Sequence, residues 1–72
     1  MLKKYKLIGL GCAHCAEKME REIQKIKGVD TASVIFMTSK LLLDAEESKH
    51  PEILAEAQRV ITKIEKNCKI EV

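Results

Sequence analysis

Two cysteines, Cys12 and Cys15, are three residues apart in the segment GLGCAHCA at positions 9–16. Two thiols this close can form a disulfide, act as a redox couple or bind a metal ion. The chain has three cysteines in all, and this odd number leaves one unpaired in any disulfide framework. Two thiolates on one short loop can converge on a single soft cation. The spacing therefore predicts a soft-metal site formed by these two cysteines.

A thioredoxin-like redox couple is an alternative use of the same spacing, because CxxC near a βαβ pattern is also typical of those proteins. Such a couple needs a longer chain and usually a proline that faces the disulfide. The single proline of this chain, Pro51, instead stands at the start of a predicted helix. A purely structural pair of buried thiols is the third alternative, and the polar character of the loop argues against it.

The number of ligands separates the candidate metals. Thiolates select copper(I), zinc, cadmium and similar ions over magnesium or calcium. Two sulfurs alone suit linear copper(I), whereas zinc takes about four ligands in a tetrahedron. A third ligand is therefore the discriminating feature, and the candidates for it are Glu65, Cys68 and His14.

The expected topology favours Glu65 and Cys68 as additional ligands. The last strand is predicted to run antiparallel beside the first, which brings residues 65–68 toward the cysteine loop. Cys68 also fits a small core residue in phase with the last strand, and Glu65 also fits an ordinary solvated charge. His14 is the weakest candidate, because the side chains between two such cysteines usually point to solvent.

The elements that position these residues follow from the spacing of the apolar side chains. Short segments rich in β-branched or alternating apolar residues indicate strands, and a recurrence every three or four residues indicates helices. We expect strands at 3–10, 31–38, 41–45 and 68–72, and helices at 13–27 and from Pro51 to Asn67. This order predicts an α+β, ferredoxin-like βαββαβ sandwich, with two helices on one face of a four-stranded antiparallel sheet.

Both predicted helices have one apolar stripe that would face the sheet. The stripe residues are Ala16, Met19, Ile23 and Ile26 in the first helix, and Ile53, Ala57, Val60, Ile61 and Ile64 in the second. The third strand contains three consecutive leucines, Leu41, Leu42 and Leu43, so its inward face does not follow from periodicity.

The loop before the first helix would hold the sulfurs beside unpaired backbone N–H groups. Cys12 is expected in the loop and Cys15 in the first turn, where the partial positive charge of the helix end favours thiolate over thiol at both cysteines. Gly9 and Gly11 end the preceding strand, and Gly11 is expected to allow a tight turn just before the first sulfur.

Size and composition exclude several classes of protein. With 72 residues, the chain is predicted to be one domain over 1–72, and its net charge of +2 is too small to predict a polyanionic partner. The only aromatic residues, Tyr5 and Phe36, argue against nucleic-acid binding by base stacking. No apolar run reaches the roughly 18 residues of a membrane span. We expect a cytoplasmic monomer that is not an enzyme.

Residues 9–16, within this order of elements, closely resemble the heavy-metal-associated domain, and the likeness covers essentially the whole chain. The pattern of that family is GMxCxxC, found in small copper chaperones and in the cytosolic amino-terminal domains of metal-exporting P-type ATPases. The resemblance implies that Cys12 and Cys15 are the metal ligands and that Gly9, Leu10 and Gly11 support them. Leu10 replaces the methionine of the family and keeps an apolar plug beneath the loop.

Within that family, the hairpin at 34–45 looks most like the zinc, cadmium and lead exporters. Copper chaperones often carry a glycine followed by tyrosine or lysine in the loop before the last strand, whereas residues 64–68 here read IEKNC. Many zinc-type members place an aspartate just before the first cysteine, where this chain has Gly11. This departure shifts the expected third ligand to Glu65 or Cys68.

The resemblance also implies a cargo and partners. The cargo is a soft metal ion, with Zn²⁺, Cd²⁺ or Pb²⁺ favoured and Cu⁺ as the alternative. The implied partners are domains of a metal-transporting P-type ATPase or a metallochaperone, which exchange the ion during transient docking at the cytosolic face of a membrane. A stand-alone copper(I) chaperone is the alternative function with the same two cysteines.

Overall fold

The computed structural model describes residues 1–71. These residues form β1 (Leu2–Ile8), α1 (Ala13–Gln24), β2 (Val29–Ile35), β3 (Lys40–Ala45), α2 (His50–Ile64) and β4 (Lys69–Glu71). A short 3₁₀ turn at Glu47–Lys49 leads into α2. The predicted order of elements and the α+β class are confirmed. Val72, the expected last residue of the final strand, lies outside the described residues.

The first helix is shorter than the sequence predicts. α1 ends at Gln24 rather than at residue 27, because the chain then tightens into hydrogen bonds between residues three apart. The N–H of Ile26, for example, donates to the carbonyl of Ile23 at 3.0 Å. Gly28 follows with φ +99°, a left-handed conformation that turns the chain away from the helix and into β2.

The second helix begins where the proline predicts and ends early. α2 starts at His50, with Pro51 in its first turn. Backbone N–H groups in the first turn have no acceptor within the helix, so a proline there removes no helical hydrogen bond. It ends at Ile64 rather than at residue 67, because Glu65 has an extended backbone with φ −140°. The residues between Glu65 and β4 therefore form a loop.

The second strand begins and ends earlier than predicted. β2 occupies Val29–Ile35 instead of 31–38, because residues 36–39 form the turn that leads into β3. The N–H of Ser39 donates to the carbonyl of Phe36 at 3.2 Å, and Ser39 has a left-handed φ of 52°. The Ser39 carbonyl accepts from the N–H of Leu7 at 2.7 Å, which ties this turn to β1.

The strands form one antiparallel sheet in the order β2-β3-β1-β4. Lys6 of β1 lies opposite Lys40 of β3, and Leu7 lies opposite Ile70 of β4. This register places the end of β1, the β2–β3 turn and the start of β4 at one end of the sheet. α1 begins beside the end of β1, so the cysteine loop lies at that same end.

The core lies between the sheet and the two helices. Its buried hydrophobic residues are Leu7, Ala16, Met19, Ile23, Ala32, Val34, Leu41, Leu43, Ala45, Ile53, Ala57, Ile61 and Cys68. The predicted helix stripes are confirmed, with Ile26, Val60 and Ile64 only partly buried at the margin. Leu41 and Leu43 point inward and Leu42 is less buried. This pattern shows which face of β3 is turned to the core, a point that the three consecutive leucines did not decide.

The free edge of β2 is closed by side chains from α1. Glu20 Oε1 accepts a hydrogen bond from the N–H of Val34 at 2.9 Å. Gln24 Nε2 donates to the carbonyl of Ala32 at 2.8 Å. Unpaired backbone groups on an edge strand are a template for pairing with another chain. On β2, these two helix side chains occupy that template.

The opposite edge of the sheet is closed in the same way by α2. The side-chain amide of Gln58 accepts from the N–H of Ile70 at 2.8 Å and donates to the carbonyl of Cys68 at 3.2 Å. One amide group thus makes the pair of bonds that a neighbouring strand would make. It also holds the start of β4 against α2, close to the end of the molecule where the cysteines lie.

A buried histidine joins three elements at the other end of the sheet. His50 is only 2% exposed, and its Nε2 lies 3.0 Å from the carbonyl oxygen of Met1 and 3.2 Å from that of Ala45. Carbonyls only accept, so Nε2 carries the hydrogen and donates to them. Nδ1 forms a hydrogen bond with the hydroxyl of Tyr5 at 3.1 Å. Burial also raises the pKa of Tyr5.

The buried core predicts that this fold forms without metal, unlike a zinc finger. Chelator-treated, reduced protein should keep a far-UV circular dichroism spectrum with helical minima and unfold cooperatively in urea. Added zinc should raise the unfolding midpoint only by the amount that binding to the native state supplies. A random-coil spectrum after chelation would show that the metal, and not the core, drives folding.

Candidate metal site

The two cysteines lie at the start of α1, as the sequence predicts. Cys12 is the N-cap residue, with an extended backbone at φ −139° and ψ 117°. Its Sγ accepts a hydrogen bond from the backbone N–H of Cys15 at 3.2 Å, and its carbonyl accepts the first helical bond from Ala16 at 3.0 Å. Both thiols are half-buried, and Cys15 packs against the core. The sulfur of Cys12 thus replaces the oxygen of an ordinary helix cap.

The two thiols differ in acidity. The thiol of Cys15 donates to Cys12 Sγ, and with the Cys15 backbone N–H it lowers the pKa of Cys12. The same shared hydrogen bond raises the pKa of Cys15 to about 11, helped by desolvation and by the negative charges of Cys12 and Glu65. The expectation that the helix end ionises both cysteines is therefore wrong for Cys15. Cys12 is thus the more acidic of the two thiols, and a metal ion that binds both sulfurs would displace the remaining protons.

Glu65, which follows α2, lies beside the cysteine loop. Its Oε2 and Oε1 accept a hydrogen bond from the backbone N–H of Gly11 at 3.2 Å and 3.3 Å. The negative charge of this carboxylate also acts to raise the pKa of Cys12, Cys15 and Cys68. The structure thus brings this carboxylate to the loop. Its role as a metal ligand stays a prediction.

The other two candidate ligands lie in different surroundings. Cys68 is fully buried in the core just before β4, and burial first, then the charge of Glu65, raise its pKa. His14 has a side chain that is 72% exposed, with Nδ1 4.0 Å from Glu17 Oε2. Across residues 1–71, no group of three His, Cys, Asp or Glu side chains is arranged to hold a metal ion. The part of the site already in place is therefore the pair of sulfurs.

The glycines before Cys12 have different roles from those expected. Gly9 has φ +83°, and a Cβ on it would overlap the carbonyl oxygen of Asn67. Gly11 has no left-handed φ, and a Cβ there would meet no other described atom within 4 Å. The tight turn attributed to Gly11 is therefore wrong, and Gly9 is the glycine that the loop requires. Leu10 is half-buried against the core, as expected of an apolar plug.

Gln58 lies near the site without having been predicted there, and Lys18 lies on the charged face of α1 beside the loop. The positive charge of Lys18, further along α1, acts to lower the pKa of Cys15 and partly offsets the causes that raise it. Gln58 fixes the start of β4 through its amide. Gln58 stands off the apolar stripe of α2, and only the packing of the elements shows what it contacts.

Comparison with known proteins identifies the family. The heavy-metal-associated domain matches residues 4–71. This chain belongs to that family. Heavy-metal-associated domains are non-catalytic modules that bind soft metal ions, and this one has the ferredoxin-like fold of its family. Within the described residues, no helix is both long enough and apolar enough to cross a membrane.

Curated relatives of this heavy-metal-associated domain are transporters. The cadmium, zinc and cobalt-transporting ATPase of Bacillus subtilis is 36% identical over 67 residues, which is 93% of this chain and 8% of the ATPase. The zinc/cadmium/lead-transporting P-type ATPase of Escherichia coli is 33% identical over 55 residues, or 76% of this chain and 8% of that protein. The domain thus spans about 8% of the length of the curated relatives it matches.

Solved structures share its fold. A CopZ metallochaperone superposes with a TM-score of 0.73 at 18% identity, covering 99% of this chain and 100% of the other. The amino-terminal domain of a potential copper-translocating P-type ATPase from Bacillus subtilis gives 0.75 at 21% identity, covering 99% and 84%. At these identities the likeness concerns the fold and leaves the metal open.

The two glycines provide a matched test of the loop geometry. Replacing Gly9 with Ala should lower the free energy of unfolding by more than about 1 kcal/mol, because it adds a left-handed alanine and an overlap with Asn67. Gly11→Ala should change it by less than about 0.5 kcal/mol. Urea unfolding of the metal-free proteins measures both. Equal effects of the two substitutions would contradict the assignment of Gly9 as the required glycine.

The shared hydrogen bond predicts that the two cysteines react at different pH. Thiolates are the nucleophiles, so Cys12 in reduced, metal-free protein should be alkylated by iodoacetamide at lower pH than a free cysteine. Alkylation of Cys15 should rise only toward pH 11. Mass spectrometry of the alkylated peptides measures each profile. In the control Cys15→Ala, the Cys12 profile should move to higher pH, and superimposable profiles in the parent protein would refute the pairing.

Proposed function

We propose that this domain captures a soft divalent cation of the zinc, cadmium or lead type and passes it to a metal-transporting P-type ATPase. Cys12 and Cys15 supply two thiolates, and Glu65 supplies a carboxylate as the third ligand. The observation that carries the proposal is the placement of Glu65, whose carboxylate lies against the N–H of Gly11 at the edge of the cysteine loop.

The donor set favours a divalent ion over copper(I). Two thiolates satisfy linear copper(I) and leave a carboxylate oxygen without a role, because copper(I) prefers sulfur. Zinc accepts sulfur and oxygen together and takes about four ligands, so one carboxylate and one exchangeable ligand complete its tetrahedron. Glu65 would leave the N–H of Gly11 and turn to the ion. The N–H that it would leave belongs to the residue directly before Cys12.

Transfer proceeds by ligand exchange in this proposal. A thiolate of the partner replaces one cysteine at a time, so the ion always keeps at least one bond to sulfur. Both cysteines are partly accessible, which leaves room for that incoming group. The exposed cations Lys18 and Arg21 on α1 beside the loop would steer an acidic partner into place.

The relatives of this domain support a place at a transporter. The matching proteins are ATPases that transport zinc, cadmium, lead or cobalt, and this chain corresponds to a small part of each. On this basis the domain works as a monomer on the cytosolic face of a membrane. A stand-alone copper(I) carrier is the second candidate, because structures with the same fold include a metallochaperone.

A competition titration tests the ligand set. The parent protein should prefer zinc and cadmium over copper(I) more strongly than Glu65→Gln does, and Glu65→Gln should bind zinc about tenfold or more weakly, because even groups outside the ligand shell contribute 10–100-fold. Glu17→Gln is the matched control, since it removes one carboxylate charge next to the loop without touching Gly11. Replacing both Cys12 and Cys15 with Ser should abolish stoichiometric binding of every metal.

Further variants in the same titration test the other candidate ligands and the alternative functions. His14→Ala and Cys68→Ala should bind zinc as the parent does, because one side chain is exposed and the other is buried. Tight zinc binding by the double serine variant would refute the site. An unchanged zinc affinity in Glu65→Gln would leave the two sulfurs as the site and favour copper(I). Turnover in an insulin-reduction assay would instead support a thiol–disulfide function.

A further inference from the structure

The face of the sheet opposite the helices has a group of cationic and apolar side chains at one end. Ile8 lies opposite Lys69, and Lys6 lies opposite Lys40, all on exposed positions of their strands. The β2–β3 turn lies at the same end and is joined to β1 by the bond from the Leu7 N–H to the Ser39 carbonyl. We name this group the hairpin-end face and define it as Lys6, Ile8, Ile35, Met37, Lys40 and Lys69.

The charges of the hairpin-end face lack close counter-charges within the described part of the chain. Lys6 and Lys40 are directly opposed on neighbouring strands, an arrangement of like charges that destabilises a sheet. Among residues 1–71, no carboxylate oxygen lies within 4.0 Å of the ammonium groups of Lys6, Lys40 or Lys69. Glu71 lies opposite Lys6 on its other side and makes no such ion pair. Ion pairs within residues 1–71 therefore do not account for this cluster.

The apolar members are exposed to a degree that folding does not require. Met37, in the β2–β3 turn, is 89% exposed, and Ile8 and Ile35 are 48% and 38% exposed. Phe36 in the same turn is also exposed. Apolar side chains that protrude beside lysines are typical of surfaces that bind a lipid interface, where the apolar groups enter the acyl boundary and the lysines reach the headgroups.

We propose that the hairpin-end face binds the surface of an anionic phospholipid bilayer. The three lysines complement the negative headgroups, and Met37 with Phe36 enters the interface. A flat acidic protein would match the lysines and leave the protruding turn without a partner, so the bilayer accounts for more of the observed features. The cysteine loop lies at the same end of the sheet, so this docking would present the metal site close to the membrane surface.

Vesicle cosedimentation of the reduced, metal-free protein tests this proposal independently of metal binding. The protein should bind phosphatidylcholine vesicles that contain phosphatidylglycerol, bind them less as salt rises, and not bind pure phosphatidylcholine. Replacing Lys6, Lys40 and Lys69 with Gln should lower the partition coefficient about a hundredfold, since each lysine near an anionic surface contributes about fivefold. Met37→Ser should lower it about tenfold.

Matched controls separate the face from net charge and from general hydrophobicity. The charge control replaces three lysines that line the grooves on the helical side of the molecule with Gln. They are Lys27, Lys49 and Lys63. It should lower the partition coefficient less than about fivefold in total. Leu2→Ser removes an exposed apolar side chain from the opposite end of the sheet and should have little effect.

Three outcomes would overturn the proposal. One is equal binding to neutral and anionic vesicles, and another is an equal loss in the two triple-lysine variants. The third is binding to poly-glutamate without binding to anionic vesicles, which would assign the face to an acidic protein. A failure of zinc binding in the separate titration would leave the vesicle result unaffected, because the vesicle experiment contains no metal.

Discussion

The close passage of the chain at Gly9 over the carbonyl of Asn67 is the constraint on which the site depends. Only a residue without a side chain can make this crossing, because the backbone there is left-handed and a Cβ would overlap the carbonyl oxygen. The crossing fixes the cysteine loop against the segment between α2 and β4. Glu65 comes within hydrogen-bond distance of Gly11 as a result, and Cys12 becomes the cap of α1. Two segments distant in sequence thus meet at the cysteine loop.

The electrostatics of that site oppose full ionisation in the absence of a cation. The carboxylate of Glu65 acts to raise the pKa of each cysteine, while hydrogen bonds from Cys15 lower that of Cys12. The balance makes Cys12 the more acidic of the two thiols. A divalent cation would reverse the sign of the contribution from Glu65, because a carboxylate that repels a thiolate attracts a metal. The same residue therefore acts against ionisation of the cysteines by themselves and, as the proposed third ligand, would stabilise a bound cation.

The sequence predicted what short-range patterns control. The order of elements, the apolar stripes of both helices and the location of Cys12 and Cys15 are visible in residue spacing alone. Tertiary contacts decided the rest. The role of Gly9 depends on Asn67, more than fifty residues away, and the burial of His50 depends on Tyr5 and on two distant carbonyls. The high pKa of Cys15 follows first from the side-chain hydrogen bond with Cys12, which residue spacing does not specify.

Glu20 and Gln24 close one border of the sheet, and Gln58 closes the other. Proteins tethered to one another, or held beside a common partner, meet at millimolar effective concentrations, where even weak backbone pairing becomes significant. With these edge groups occupied, crowded copies find fewer open backbone groups on which to pair. Encounters through side-chain surfaces separate more easily than paired strands, which suits the transient docking that we propose for this domain.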